Sequence, residues 1–221
     1  MSICLAVDTS AGTSVAILSN GQLVAEVNIE DNMKHAERIG AAIRSALMMA
    51  ELQPSQVARV VVGRGPAPFT GLRVGIAAGQ MFAAGLGVPC YSVVSLDALA
   101  FASFEADPQT ASISQQQPLL VTSDARRGEV YWALYQTRDQ HRVPIRTGEP
   151  AVLKPELLEE LLAARQLNPV RNTAKISAGW VALLAQAQLE AGVLSKDISP
   201  LYLRPADATV PKGAVGKRVS G

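Results

Sequence analysis

The chain has 221 residues, 48% of them hydrophobic and 18% charged, and its 20 Lys plus Arg against 19 Asp plus Glu leave a formal charge of +1. That length buries a substantial core in one domain or in two small ones sharing an interface, and the apolar balance leaves room for a buried subunit contact. A nearly neutral chain exerts no net pull on a polyanion, which argues against tight, direct nucleic-acid binding. Cys4 and Cys90, the only cysteines, have no CxxC spacing, so they build neither a disulfide framework nor a zinc site and read as small buried hydrophobes. The start MSICLAVDTS has no basic leader region and no apolar run is long enough to span a bilayer, so a cytoplasmic chain without membrane contact is expected.

Apolar stretches at 3–7 and 15–18 and an alternating one at 23–29, separated by Ala11-Gly12 and Asn20-Gly21, predict a three-stranded antiparallel meander. Residues 32–52 follow as an amphipathic helix, capped by Asp31 or Asn32, with Met33, Ala36, Ile39, Ile43, Leu47 and Ala50 at three- and four-residue spacing and Pro54 closing it. A strand at 59–62, a helix at 71–86 with Thr70 as candidate N-cap, and a strand at 88–94 complete the order β-β-β-α-β-α-β. That order predicts a mixed sheet covered by helices. A second pass reads as a helix at 97–104, a loose polar insert at 105–117, strands at 119–123 and 129–136 around the turn DARRG, and helices at 155–165 and 174–191. Residues 206–221 read as a flexible tail, and the two passes suit a duplicated architecture.

The glycine-proline stretch GRGPAPFTGLRVGIAAG, 63–79, enters a helix N-terminus, a geometry able to hold anions. No Lys-Ser/Thr pair follows its glycines, so a P-loop is excluded and a tight structural turn is the simpler reading. Asp8-Thr9-Ser10 ahead of Gly12-Thr13-Ser14 resembles the metal- and phosphate-holding hairpin of the actin and sugar-kinase superfamily. The second hairpin such a clamp requires has only one candidate, Asp124-Ala125-Arg126-Arg127-Gly128, where two bulky arginines stand in place of glycine. Asp8 therefore reads as a turn residue bonding its own loop. His35 and His141, the only histidines, form no metal pair, and Ser10, Ser14 and Ser95 lack a G-x-S-x-G context. Gly75, Ala78, Gly79 and Ala83 line one side of the 71–86 helix, and close packing on the chain's own sheet or on another subunit explains them equally well.

Taken together, LAVDTS at 5–10, His35 with Glu37 and Arg38, GPAPFTGLRVG at 65–75, SLDALA at 95–100, DARRGEVYWALY at 124–135 and PLYLRP at 200–205 resemble the TsaB family. Its members are bacterial partners of TsaD in making N6-threonylcarbamoyladenosine on tRNA. Ala67 departs from the family's usual GPGSFTG or GPGPFTG loop, and a positive φ there would force an adjustment. The resemblance implies an α/β, actin-like fold of two lobes, 1–97 and 98–205, each with a mixed sheet flanked by helices, followed by the tail. It implies a non-catalytic scaffold with no catalytic, cofactor or metal residue. TsaD would dock on the two N-lobe helices, and the partner interface is expected at His35, Ile39, Ile43, Leu72, Gly75, Ile76 and Gly79. TsaE would join through TsaD, tRNA would be engaged indirectly, and a homodimer would form when the chain is alone. The alternative is an active small-molecule kinase of the same superfamily, for which Asp8, Thr9 and the glycine turns speak; a glycoprotein endopeptidase lacks the histidines for its metal.

Overall fold

The structure is a computed structural model that describes residues 2–30, 35–172 and 174–204, without the side chains of residues 35, 111 and 112. The expected cap and start of the first helix at 31–34 and the expected tail at 206–221 lie outside the described residues. Two mixed sheets flanked by helices make up the fold, the actin-like arrangement that the motif order implies.

The first sheet runs β3-β2-β1-β4-β5, from β1 (Ile3–Asp8), β2 (Thr13–Ser19), β3 (Gln22–Ile29), β4 (Val57–Gly63) and β5 (Cys90–Val93). The meander is antiparallel, and β4 and β5 add to it in parallel after helical crossovers. Because side chains alternate along a strand, Leu5, Val7, Val15, Ile17, Val60 and Val62 face one way, under α1 (His35–Met49) and α2 (Phe69–Leu86). Cys4, Ala6, Ala16, Leu18 and Val61 face the other way. The small residues on that second face let the alanine-rich α5 (Ala178–Glu190) approach, through Ala178, Ala182 and Ala185, with α3 (Ser95–Ala106) beside it. So the last helix, which the sequence places after the second hairpin, returns to cover the first sheet.

The second sheet runs β10-β6-β7-β8, with β9 also on β7, from β6 (Leu119–Asp124), β7 (Val130–Arg138), β8 (Pro144–Arg146), β9 (Ala151–Leu153) and β10 (Val170–Arg171). One face packs on α3 and the other, through Leu120, Trp132 and Leu134, on Leu158 and Leu162 of α4 (Pro155–Ala164). The buried stripe of α1 is Ile39, Ala42, Ile43, Ala46 and Leu47, whereas Ala36 is exposed. α2 starts two residues earlier than expected, with Pro68 at the cap position and no side-chain cap, so Thr70 lies in the first turn rather than at its entrance. The fixed φ of proline sets that entrance. At the other end Gly87 takes the left-handed conformation and its N–H reaches back to Ala83 and Ala84, a stop that a residue with a Cβ adopts only with strain. The polar insert is not wholly loose: Pro108–Ser112 form a 3-10 turn, and the Asp107 carboxylate accepts from the Gln109 amide at 2.9 Å.

Candidate functional site

β1 ends at Asp8 under the parallel crossover, so the Asp8-Thr9-Ser10 turn meets the glycine-proline loop and the start of α2. Asp8 is buried. Its Oδ1 accepts from the Ser10 amide at 2.7 Å and from the Ser10 hydroxyl, and its Oδ2 accepts from the Ser95 hydroxyl at 2.8 Å. Ser95 Oγ in turn accepts from the Gly65 amide at 3.2 Å. A Cβ at Gly63 would overlap the Asp8 carboxylate, so β4 ends in glycine to make room for it. The carboxylate thus ties β1, the glycine-proline loop and α3 together, the structural role its sequence context suggests.

Thr9 Oγ1 donates to the Gly71 carbonyl at 2.8 Å, and a Cβ at Gly75 would run into the Thr9 side chain. At Gly79 a Cβ would overlap Val62. This decides between the two readings of the small-residue face: it packs on the chain's own sheet. Ala67 is buried and is not among the described residues of positive φ, so the loop accepts it without strain; the left-handed position is Gly65.

The second hairpin carries Arg126, Arg127 and Gly128 in succession at φ of 63°, 58° and 72°. The Arg126 amide donates to Asp124 Oδ1 at 2.7 Å, and its guanidinium pairs with Asp124 Oδ2 at 3.3 Å. The two turns face a shared cleft of about 570 Å³ lined by Gly12, Thr13, Asn28, Glu30, Asp124 and Lys175 among others. Among the described residues, no group of three or more His, Cys, Asp or Glu gathers as a metal-holding set, and no helix is long and apolar enough to cross a membrane.

One buried cluster had no role in the sequence reading. Tyr135 Oη donates to Asp97 Oδ1 at 2.7 Å, and Arg146 Nε lies 3.3 Å from the same oxygen, so the start of α3 is fastened to β7 and β8. Burial raises the Asp97 carboxyl above its ordinary range against the opposing pull of Arg146 and Tyr135; burial and Asp97 together raise the Tyr135 phenol well above its own. The signal in the sequence was a single acid inside the apolar run Leu96-Asp97-Ala98-Leu99.

The expected partner residues do not form an exposed patch. Ile39, Ile43, Leu72, Gly75, Ile76 and Gly79 are all buried on the sheet side of α1 and α2, because the apolar and small stripes that mark them are the faces a helix turns to its own core. His35 begins α1, and its side chain lies outside the described residues. α1 and α2 lie side by side on the sheet, and their exposed residues include Glu37, Arg38, Gly40, Ala41, Arg44, Ser45 and Met48 on one helix and Arg73, Ala77, Gln80, Met81 and Ala84 on the other. Met48, Met49 and Met81 are 71%, 60% and 71% exposed, large for apolar side chains.

A family model described as "TsaD: tRNA N6-adenosine threonylcarbamoyltransferase" matches residues 23–177. The Escherichia coli "tRNA threonylcarbamoyladenosine biosynthesis protein TsaB" is 32% identical over 179 residues, 80% of this chain and 72% of that protein. The chain belongs to the TsaB family. The solved structure described as YeaZ from Pseudomonas aeruginosa superposes on this TsaB-family chain with a TM-score of 0.72 at 28% identity, over 92% of this chain and 100% of that one. An uncharacterized protein of Mycobacterium leprae is 39% identical over 160 residues, 70% of this chain; the chain spans 40% of that relative's length.

Proposed function

We propose that this TsaB-family chain is a non-catalytic subunit that docks on a TsaD-type transferase and supports formation of N6-threonylcarbamoyladenosine on tRNA. The observation that carries the reading is the outward surface of α1 and α2, which exposes three methionines beside small and charged residues on two adjacent helices. Exposed large apolar side chains on neighbouring helices suit an interaction face, and methionine adapts to a partner's shape. Gly40 and Gly85 add to it: both are helical, both are exposed, and among the described residues nothing beyond the helix's own backbone stands within 4 Å of where a Cβ would be. Such glycines cost a helix about 0.5–1 kcal/mol each relative to alanine, a cost that close approach by a partner helix offsets.

The interface expected at the buried stripes is moved by this reading to the opposite side of the same two helices. TsaE joins through TsaD, tRNA is held by the assembly rather than by this near-neutral chain, and without TsaD the same face pairs with a second copy. The lobes are 1–97 and 98–205, with α5 crossing back onto the first, and the chain works in the cytoplasm. A small-molecule kinase is the weaker reading, since both Asp8 oxygens are engaged by serines of the chain itself and the second hairpin presents arginines where a phosphate clamp requires bare backbone.

Mixing the chain with TsaD and following size by light scattering tests docking. A stoichiometric complex is expected, and Met48→Glu with Met81→Glu should weaken it by more than about tenfold, because the partner would have to bury unpaired charge. Separate species with the wild-type chain, or an unchanged affinity in the folded double variant, would remove the placement.

A further inference from the structure

The segment PLYLRP, which carries part of the family resemblance, has no role in the docking reading, and its contacts give it one. Residues 195–204 run as an extended strap with no regular structure of their own beyond one bridge, Ser195 to Ser92, whose amide donates to the Ser195 carbonyl at 2.9 Å. The strap crosses the edge of β5, where Ser92 Oγ donates to the Asp197 carbonyl at 2.6 Å. It then meets the glycine-proline loop: Arg64 pairs with Asp197 at 3.0 Å, and the Leu201 amide donates to the Arg64 carbonyl at 2.8 Å. Beyond that point its side chains alternate. Leu201 and Leu203 pack into the core between α3 and the second sheet. Tyr202 turns to the start of α2, its ring 4.6 Å from that of Phe69, and its hydroxyl accepts from Arg73 Nε at 2.6 Å. The Arg73 guanidinium lies 5.5 Å and 5.7 Å from the Tyr202 and Phe69 ring centres. Arg204 ends the strap on the second hairpin, paired with Glu129 and donating to the Ala125 carbonyl at 3.4 Å.

We infer that this strap positions the docking face: it clamps the first turn of α2 to the second sheet, with Tyr202 and Arg204 as positioning residues. The helix start needs such a clamp because Pro68 supplies no side-chain cap, and the backbone N–H groups of a helix's first turn have no helical partner. An uncapped turn frays, whereas Phe69 and Arg73, on that turn and the next, are held by the Tyr202 ring and hydroxyl.

This inference rests on the docking reading, and hydrogen exchange on the isolated chain separates the two. In Tyr202→Ala combined with Arg204→Ala, amides of residues 69–75 and 125–129 should exchange about tenfold faster while those of β1, β2 and β4 keep their rates. TsaD affinity should fall by a similar factor, and Tyr202→Phe, which keeps the ring contact, should recover most of both. Unchanged exchange at 69–75 overturns the clamp. Faster exchange with unchanged TsaD affinity overturns its service to the docking face. Accelerated exchange in a chain whose wild type binds no TsaD leaves the clamp standing and refutes the docking reading instead.

Discussion

At Gly75 and Gly79 the backbone of α2 stands against Thr9 and Val62 with no space for a Cβ, whereas at Gly40 on α1 a Cβ would meet no neighbouring element among the described residues. The same residue type therefore has opposite tolerance at two helical positions. Gly75→Ala should destabilise the chain by about 1–3 kcal/mol in urea melts, since the added carbon must displace Thr9 from the Gly71 carbonyl. Gly40→Ala should stabilise by about 0.5–1 kcal/mol, the helix-interior difference between the two residues. Equal effects would mean that neither environment is as described. Asp97 gives a pH-dependent counterpart. Burial holds its folded-state carboxyl above the ordinary range, so the folded chain binds that proton more tightly than the unfolded one, and the group's contribution to stability falls as pH rises from the usual Asp value through the raised one. Compared from about pH 4 to about pH 7, the difference in stability between Asp97→Asn and the wild type should move in the variant's favour. Parallel curves would place Asp97 in a solvated site.

For the elements, the long and periodic ones were legible and the short ones were not. Leu5 and Val7 alternating with Cys4 and Ala6 mark a strand buried on both faces, and the Ile39-Ile43-Leu47 spacing marks a helix with one apolar stripe. β8, β9 and β10 have two or three residues each, too few for any period to show, and the strap has no period at all. The small-residue face of α2 was visible, but spacing says which residues share a face and not what covers it; the answer, β4 and the Thr9 turn, is distant in sequence. The clearest contact of this hidden kind joins β3 to α5, where Glu26 Oε1 accepts from the Gly179 amide at 2.7 Å and so satisfies the first turn of a helix more than 150 positions on. Glu26→Ala should cost about 0.5–2 kcal/mol, the usual worth of a lost N-terminal cap, read from the thermal midpoint. No change would show that water serves that amide as well.

Taken as a whole molecule, the chain keeps an actin-like architecture in which both turn motifs hydrogen-bond within the chain. Asp8 closes its own loop, and the second hairpin is filled by Arg126 and Arg127 rather than glycine. The surface of the two helices exposes Met48, Met49 and Met81, and the strap meets the start of α2 where Tyr202 stacks near Phe69. The family was legible from motif order because six short segments in sequence are far more specific than any one of them. The expected interface residues Ile39, Ile43, Leu72, Gly75, Ile76 and Gly79 prove to be core residues, since composition alone does not distinguish a stripe that faces the chain's own sheet from one that faces outward until a neighbour is in view. The most direct test is reconstituted synthesis of threonylcarbamoyladenosine on tRNA from TsaD, TsaE and a threonylcarbamoyl-adenylate supply, with and without this chain. Modification that appears only when the chain is present, and is lost in Met48→Glu with Met81→Glu, is the expected result. Modification at the same rate without the chain would contradict the account.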